Sequence, residues 1–261
     1  MKEPDIKEYL SQIGIRKISE LDTALIETYG QKEGSQHIET LTKLFDQSEE
    51  RLVYGTGDTP CLHRQDELVD YWNQDLQLSL LAASFYDRVF FRRVLEYLVK
   101  KDSFIAEDIL DIGCGNGILT CFLALQHPDA RITGLDLSAK AVSVANKLSQ
   151  SLHINNTNFV TPEESLQEKY DTLFSCRTVH ENVAWKALCK EPKPALLPIG
   201  ELTKRHKKYA AKLAALIKTG GYLISIERYE DDNTYAGLVS ALSCAGFSQV
   251  RGTHMQFSCK N

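Results

Sequence analysis

Residues 109–117 read ILDIGCGNG. An apolar run ends in Asp111, three glycines follow at alternate positions (Gly113, Gly115 and Gly117), and a second apolar run begins at Ile118. Glycine is needed where a backbone turns tightly and a ligand must approach without a Cβ in the way. A strand, a glycine turn and a helix in that order set a ligand over a helix N-terminus, where free N–H groups and the helix dipole act on it. About twenty residues further on, GLDLS ends a second apolar run in Asp136, a position from which a carboxylate can accept hydrogen bonds from both hydroxyls of a ribose.

Two cofactor classes use this geometry. A dinucleotide site requires GxGxxG, the third glycine allowing close helix–strand packing beside a pyrophosphate. The chain has GxGxG, and Ile118 stands where that third glycine belongs. Asp111 stands just before the first glycine. A carboxylate there repels a pyrophosphate but attracts a cationic sulfonium amino acid, so the local charges favour S-adenosylmethionine over NAD.

On LDIGCGNG and the correctly spaced Asp136, residues 105–261 resemble the class I S-adenosylmethionine-dependent methyltransferase superfamily. The resemblance implies an α/β fold: a Rossmann-like, doubly wound, mostly parallel seven-stranded sheet. It implies that Asp111 and the Gly113–Gly117 loop, with Cys114 and Gly115, hold the methionine part of the cofactor, that Asp136 binds the ribose, and that Leu137 flanks the adenine. Members often carry an acidic residue after the third strand that reaches the adenine amino group; NFVTPEES offers Glu163 there, and a solvated loop carboxylate is the alternative. The fourth strand, DTLFSC, runs into RTVHEN. In the family this turn lies under the methyl group, which sets Cys176 against the cofactor as a small packed residue.

Methyl transfer is an in-line displacement, and a base is needed only if the nucleophile must lose a proton. His180 and Glu181 stand beyond the C-terminus of the fourth strand, where open α/β sheets bind ligands. Imidazole titrates near neutral pH and suits general-base work; a structural histidine is the alternative, and Glu181 is equally a helix-start carboxylate. Arg177 is expected to contact a substrate carboxylate or to pair with Glu181 or another acid. The [DN]PP[YFW] signature of adenine or glutamine N-methylation is absent, since the strand ends in SCRT, and Cys176 lacks the preceding proline of cytosine-C5 enzymes. No metal-ligand spacing is evident.

These residues need a scaffold. The chain has 261 residues, 43% hydrophobic and 25% charged, close to globular averages. Acidic residues number 35 against 30 basic, a net charge of −5, so the chain as a whole is not built to coat a polyanion. Residues 1–104 read as a helical region. Leu21, Ala24 and Leu25 have helical spacing, Ser35 is placed to cap a further helix through Leu52, residues 53–65 read as a loop, and Leu68 to Leu98 resume the period. From 105 onward short apolar runs alternate with helical stretches at 117–126, 138–151 and 202–219, which predicts helices on both faces of a mostly parallel sheet. FSQVRG and HMQFSCKN read as closing strands.

Tyr71, Trp72, Phe85 and Tyr86 are candidates for an aromatic lid over a methylsulfonium, or for simple helix packing. The helix 202–218 carries Lys204, Arg205, Lys207, Lys208 and Lys212 on one face, either an ordinary solvated surface or a dock for an anionic partner. The prolines of CKEPKPALLPIG stiffen a segment that walls the substrate pocket or merely connects. Seven widely spaced cysteines without a CxxC pair argue against disulfides or zinc and for a reducing compartment. The charged N-terminus lacks a signal-peptide core, and no apolar run spans a bilayer. The expectation is a cytoplasmic methyltransferase acting at oxygen or nitrogen of a small molecule. RNA or protein as substrate, a non-catalytic cofactor-binding protein, and an NAD-dependent reductase are the rivals. The oligomeric state, homodimer included, is left open.

Overall fold

The computed structural model describes residues 5–53, 62–162, 169–178, 198–227, 232–250 and 256–259. Glu163, His180, Glu181 and most of the proline-rich connector lie outside the described residues. Seven strands form one sheet: β1 (Asp108–Ile112), β2 (Arg131–Leu135), β3 (Thr157–Val160), β4 (Tyr170–Cys176), β5 (Ile217–Ile226), β6 (Phe247–Gln249) and β7 (Gln256–Cys259), in the order β3-β2-β1-β4-β5-β7-β6. The first five in that order run parallel, and β7 and β6 add antiparallel. Parallel strands are covered on both faces and so carry little alternation; all five residues of β1 are buried, Asp111 among them.

One sheet face is covered by α1 (Ile6–Gln12), α5 (Arg88–Lys100), α6 (Ile118–Gln126) and α7 (Ala139–Ser151), whose Leu10, Leu98, Phe122 and Leu148 share a core with Ile109, Phe174 and Ile224. The other face is covered by α8 (Ile199–Leu216) and α9 (Asp232–Cys244), where Leu213, Leu238 and Leu242 meet Leu110, Leu173 and Leu223. The N-terminal ends of four strands are drawn together by charge. Lys218 Nζ donates to Asp108 (2.8 Å) and Asp171 (2.9 Å), and Arg131 pairs with Asp108 at 2.6 Å. Lys218, helped by Arg131, holds the Asp108 carboxyl below its ordinary value despite burial.

Ahead of the sheet, α2 (Leu21–Val53), α3 (Leu62–Trp72) and α4 (Leu76–Ala82) bury Leu25, Leu41, Trp72, Leu78 and Leu81 in a cluster of their own. The expected cap at Ser35 is not there. The break falls at Gly30 (φ 79°, ψ 166°), the residue able to leave the helical region at low cost, and Ser35 lies within the turns that resume after it. The expected loop is shorter, since residues 62–65 already belong to α3. The helical period from Leu68 onward is interrupted at 73–75, where Asp75 accepts the Leu78 N–H at 2.8 Å and starts α4. A π-helical turn, Ala83–Asp87, then joins α4 to α5. Helix α8 ends at Leu216, and Ile217 and Lys218 belong to β5, because Ile217 pairs with Tyr170 across a register shift. No helix among the described residues is long and apolar enough to cross a membrane.

Candidate active site

At the C-terminal edge of the sheet, Ile112 lies beside Leu135 on one side and Ser175 on the other, and Ser175 beside Ser225. The glycine turn leaves this row directly. Gly113 has φ +74°, and a Cβ there would sit 2.3 Å from Thr178 Oγ1. Gly117 has φ +78°, and a Cβ there would meet Ala145 Cβ at 2.8 Å. Both positions combine a left-handed backbone with close approach, so the spacing seen in the sequence has a steric cause on both counts.

The turn is not a phosphate cradle. Gly113 and Cys114 both donate their N–H to the carbonyl of Leu135 (2.7 and 3.0 Å), and Gly117 donates to the Cys114 carbonyl (3.0 Å). The Gly115 N–H goes to Asp136 Oδ2 at 2.8 Å. Amides that would face a pyrophosphate in a dinucleotide site are thus engaged within the protein, one of them by a carboxylate. Asp136 Oδ1 accepts the Ser138 N–H at 2.9 Å, so both oxygens of this carboxylate are oriented by backbone. Burial raises its pKa against the opposing pull of those amides.

Asp111 is 1% exposed. It lies behind the turn, with Oδ2 accepting the Thr120 hydroxyl at 2.6 Å. Burial pushes its carboxyl up to about 7, the Thr120 hydrogen bond opposing and the nearby Asp136 adding. Among the described residues neither Asp111 nor Asp136 forms an ion pair with lysine or arginine. Two desolvated carboxylates on one turn without a cation are unstable as a charged pair, and a bound cation would relieve both.

Cys114 is buried within the turn, and burial lifts its thiol well above the ordinary value. Cys176 ends β4, with its thiol raised mainly by burial and further by the negative charge of Asp111 and Glu227; such thiols are inert packing groups. Leu137, beside Asp136, is 77% exposed, an apolar surface open to a planar ligand. Arg177 follows Cys176 in a left-handed backbone (φ 57°). It pairs with neither of the partners first expected of it. Its Nη1 donates to Asp87 Oδ1 at 2.6 Å, and its guanidinium lies 3.4 Å from the Phe90 ring centroid. Of the aromatic lid candidates, Trp72 is buried among the N-terminal helices, and the Tyr71 hydroxyl bonds His37 Nδ1 at 2.8 Å. Phe85 and Tyr86 lie edge to face in the π turn, and Tyr86 is half exposed.

Several contacts at this edge had no signal in the sequence because they join residues far apart. The Tyr9 hydroxyl donates to the Ile118 carbonyl at 2.5 Å, tying α1 to the first turn of α6. Asn116 reaches Ser79 on α4, and Ser138 reaches Asp70 on α3. Ser175 and Ser225 both donate to Glu227 Oε1 (2.9 and 3.2 Å) at the end of β5. On α8, His206 is buried, and burial lowers its pKa to about 4, so it is neutral near pH 7. A cavity of about 260 Å³ opens elsewhere, near the N-terminal ends of β2 and β3, among Arg131, Thr133, Asn156 and Asn158. It faces the end of the sheet opposite the glycine turn.

A family model described as a methyltransferase domain matches residues 103–253. The chain is 32% identical over 114 residues to ribosomal RNA small subunit methyltransferase G of Christiangramia forsetii, covering 42% of this chain and 53% of the relative. It is 30% identical over 138 residues to ribosomal RNA large subunit methyltransferase G of Vibrio cholerae, covering 48% and 36%. To malonyl-[acyl-carrier protein] O-methyltransferase of Acetivibrio thermocellus it is 37% identical over 71 residues, covering 27% and 25%. The chain thus spans about half, or less, of the length of these curated relatives.

Proposed function

Because the chain belongs to the methyltransferase-domain family, within the class I S-adenosylmethionine-dependent superfamily, we propose that it transfers a methyl group from S-adenosylmethionine to an oxygen or nitrogen of a small molecule. The observation that carries this reading is the glycine turn with Asp111 and Asp136 beside it. Its amides are engaged within the protein, and its two carboxylates are desolvated without a basic partner, which suits a cationic donor and disfavours a pyrophosphate.

When bound, S-adenosylmethionine supplies a methyl group already activated on a sulfonium. The protein's part is to hold, align and exclude water. Asp111 and the turn formed by Gly113, Cys114, Gly115 and Gly117 receive the methionine part. Asp136, aimed by the amides of Gly115 and Ser138, receives the ribose hydroxyls. Leu137 flanks the adenine, with Glu163 near its amino group, and Cys176 packs beneath the reacting centre. His180, with Glu181 beside it, takes the proton from an acceptor that carries one. Residues 1–104 act as a cap on the acceptor side of the core, residues 105–261.

The overall negative charge supports a small-molecule acceptor. A second reading, an RNA acceptor, is favoured by α8, where Lys204, Lys207, Lys208 and Lys212 are all exposed, and by the two relatives named as ribosomal RNA methyltransferases. Salt-dependent retention on RNA, lost when Lys204, Lys207 and Lys208 become Glu, would favour it.

Calorimetry with S-adenosylhomocysteine, the demethylated product, tests the main reading. The protein should bind it, and Asp136→Ala should weaken binding about 100-fold, the worth of two charge-assisted hydrogen bonds at about 1.5 kcal/mol each. Unchanged affinity in a folded Asp136→Ala protein, or occupation of the crevice by NAD instead, would refute it.

A further inference from the structure

The corner between α3 and α4 touches both turns of the proposed donor site. A chain of hydrogen bonds with a fixed direction leads from it into the glycine turn. Asn73 Nδ2 donates to the Val69 carbonyl (2.8 Å), which leaves Asn73 Oδ1 to accept the Ser79 hydroxyl (2.9 Å). Ser79 Oγ accepts from Asn116 Nδ2 (3.0 Å), and Asn116 Oδ1 faces the Ile118 N–H at 3.4 Å, at the start of α6. Asn73 and Ser79 are 9% and 3% exposed, so water does not substitute for these bonds. One residue past Val69, Asp70 Oδ1 accepts the Ser138 hydroxyl at 2.6 Å. Ser138 also bonds Asp136 through its N–H and caps α7 through Oγ, which accepts the Ala141 N–H at 3.2 Å.

We propose that the α3–α4 corner is a working part of the donor site, with Asn73 and Ser79 positioning the glycine turn through Asn116 and Asp70 positioning the Asp136 turn through Ser138. This rests on the methyl-donor reading above. None of the three corner residues need touch the donor; they act through Asn116 and Ser138. Both turns are held from one rigid corner, so their separation is set by α3 and α4 rather than by the sheet alone. By reciprocity, a donor that fits that separation must also favour the docked corner. The cap and the donor site are therefore coupled in binding, not merely adjacent.

The test uses the full chain and S-adenosylhomocysteine as the probe. Ser79→Ala and Asn116→Ala should each weaken binding about five- to tenfold. The double variant should be no weaker than the worse single one, because both break the same chain. Ser84→Ala is the control. Ser84 is equally buried in the neighbouring π turn, but its hydroxyl accepts only from the Arg16 N–H (3.3 Å), away from both turns, so its affinity should match the unaltered protein. Hydrogen exchange supplies a readout that simple packing would not move: the probe should slow exchange of the amides of residues 68–82, and Ser79→Ala should abolish that slowing. Should Ser79→Ala prove unfolded, Asn116→Ala, on the half-exposed turn, carries the same comparison. If the unaltered protein does not bind the probe, the donor reading itself falls and this proposal with it. If it binds and both single variants bind equally well, only the corner's role is overturned.

Discussion

Asp111 sets a pH dependence that separates a cationic donor from its neutral-sulfur product. Burial, the main cause, pushes the carboxyl from its ordinary value of 3.8 up to about 7, so near neutral pH the ligand-free protein carries it half protonated. A sulfonium beside it is attracted only by the ionised form. The apparent donor affinity is then reduced by the fraction still protonated, about elevenfold at pH 6, about twofold at pH 7 and hardly at all at pH 8. Close to one proton should leave per donor bound at pH 6, measurable by calorimetry in buffers of different ionisation enthalpy. S-adenosylhomocysteine, without the sulfonium, should show a shallower dependence, and Asp111→Asn should flatten the donor's. The same carboxyl acts on stability with a definite sign. Its folded pKa lies above the unfolded one, so its contribution is fully present below about pH 4 and is lost as pH rises through 7, by on the order of 4 kcal/mol at most. Asp111→Asn should therefore be more resistant to urea than the unaltered protein at pH 8, and not at pH 4. Donor affinity that is constant from pH 6 to 8, or a slope that survives in Asp111→Asn, would refute the reasoning.

Gly117→Ala must adopt φ near +78° and bring its Cβ to 2.8 Å from Ala145, so urea denaturation should show a loss of about 3 kcal/mol; a loss under 1 kcal/mol would mean that α7 yields easily. His180→Ala should lower turnover by about 100-fold or more while donor affinity stays within about twofold. Equal loss of both would make His180 a binding or folding residue.

The sheet core was legible in the sequence because its signals are local. Each parallel strand appears as a short apolar run, and GxGxG marks a turn whose steric reasons lie within a few residues of it. The ends of α6 and α7 followed from Gly117 and from Ser138, which caps α7. The N-terminal half was harder to read for a physical reason. Helical periodicity does not distinguish one long helix from two, and Gly30, not the cap-like Ser35, made the break. The π turn leaves the apolar spacing nearly intact and so was hidden. At the site, residue types and positions could be read but their partners could not. Thr120 for Asp111, Asp87 for Arg177, and Ser79 for Asn116 are distant in the chain or unmarked by any spacing rule.

The π turn at Ala83–Asp87 has a consequence for how this chain can vary. Its wider ring accommodates one residue more than an ordinary helical turn. That surplus residue sets the phase between two helices with different duties: α4 presents Leu78 and Leu81 to the N-terminal cluster, while α5 presents Val94, Leu95 and Leu98 to the sheet. Deleting any one residue there would keep both helices yet rotate everything after it by about 100°. Asp87 and Phe90 would swing away from Arg177, and the apolar stripe of α5 would miss its seat. Length in this segment is therefore fixed more tightly than identity, and single-residue deletions should be far less tolerated here than substitutions at half-exposed Tyr86.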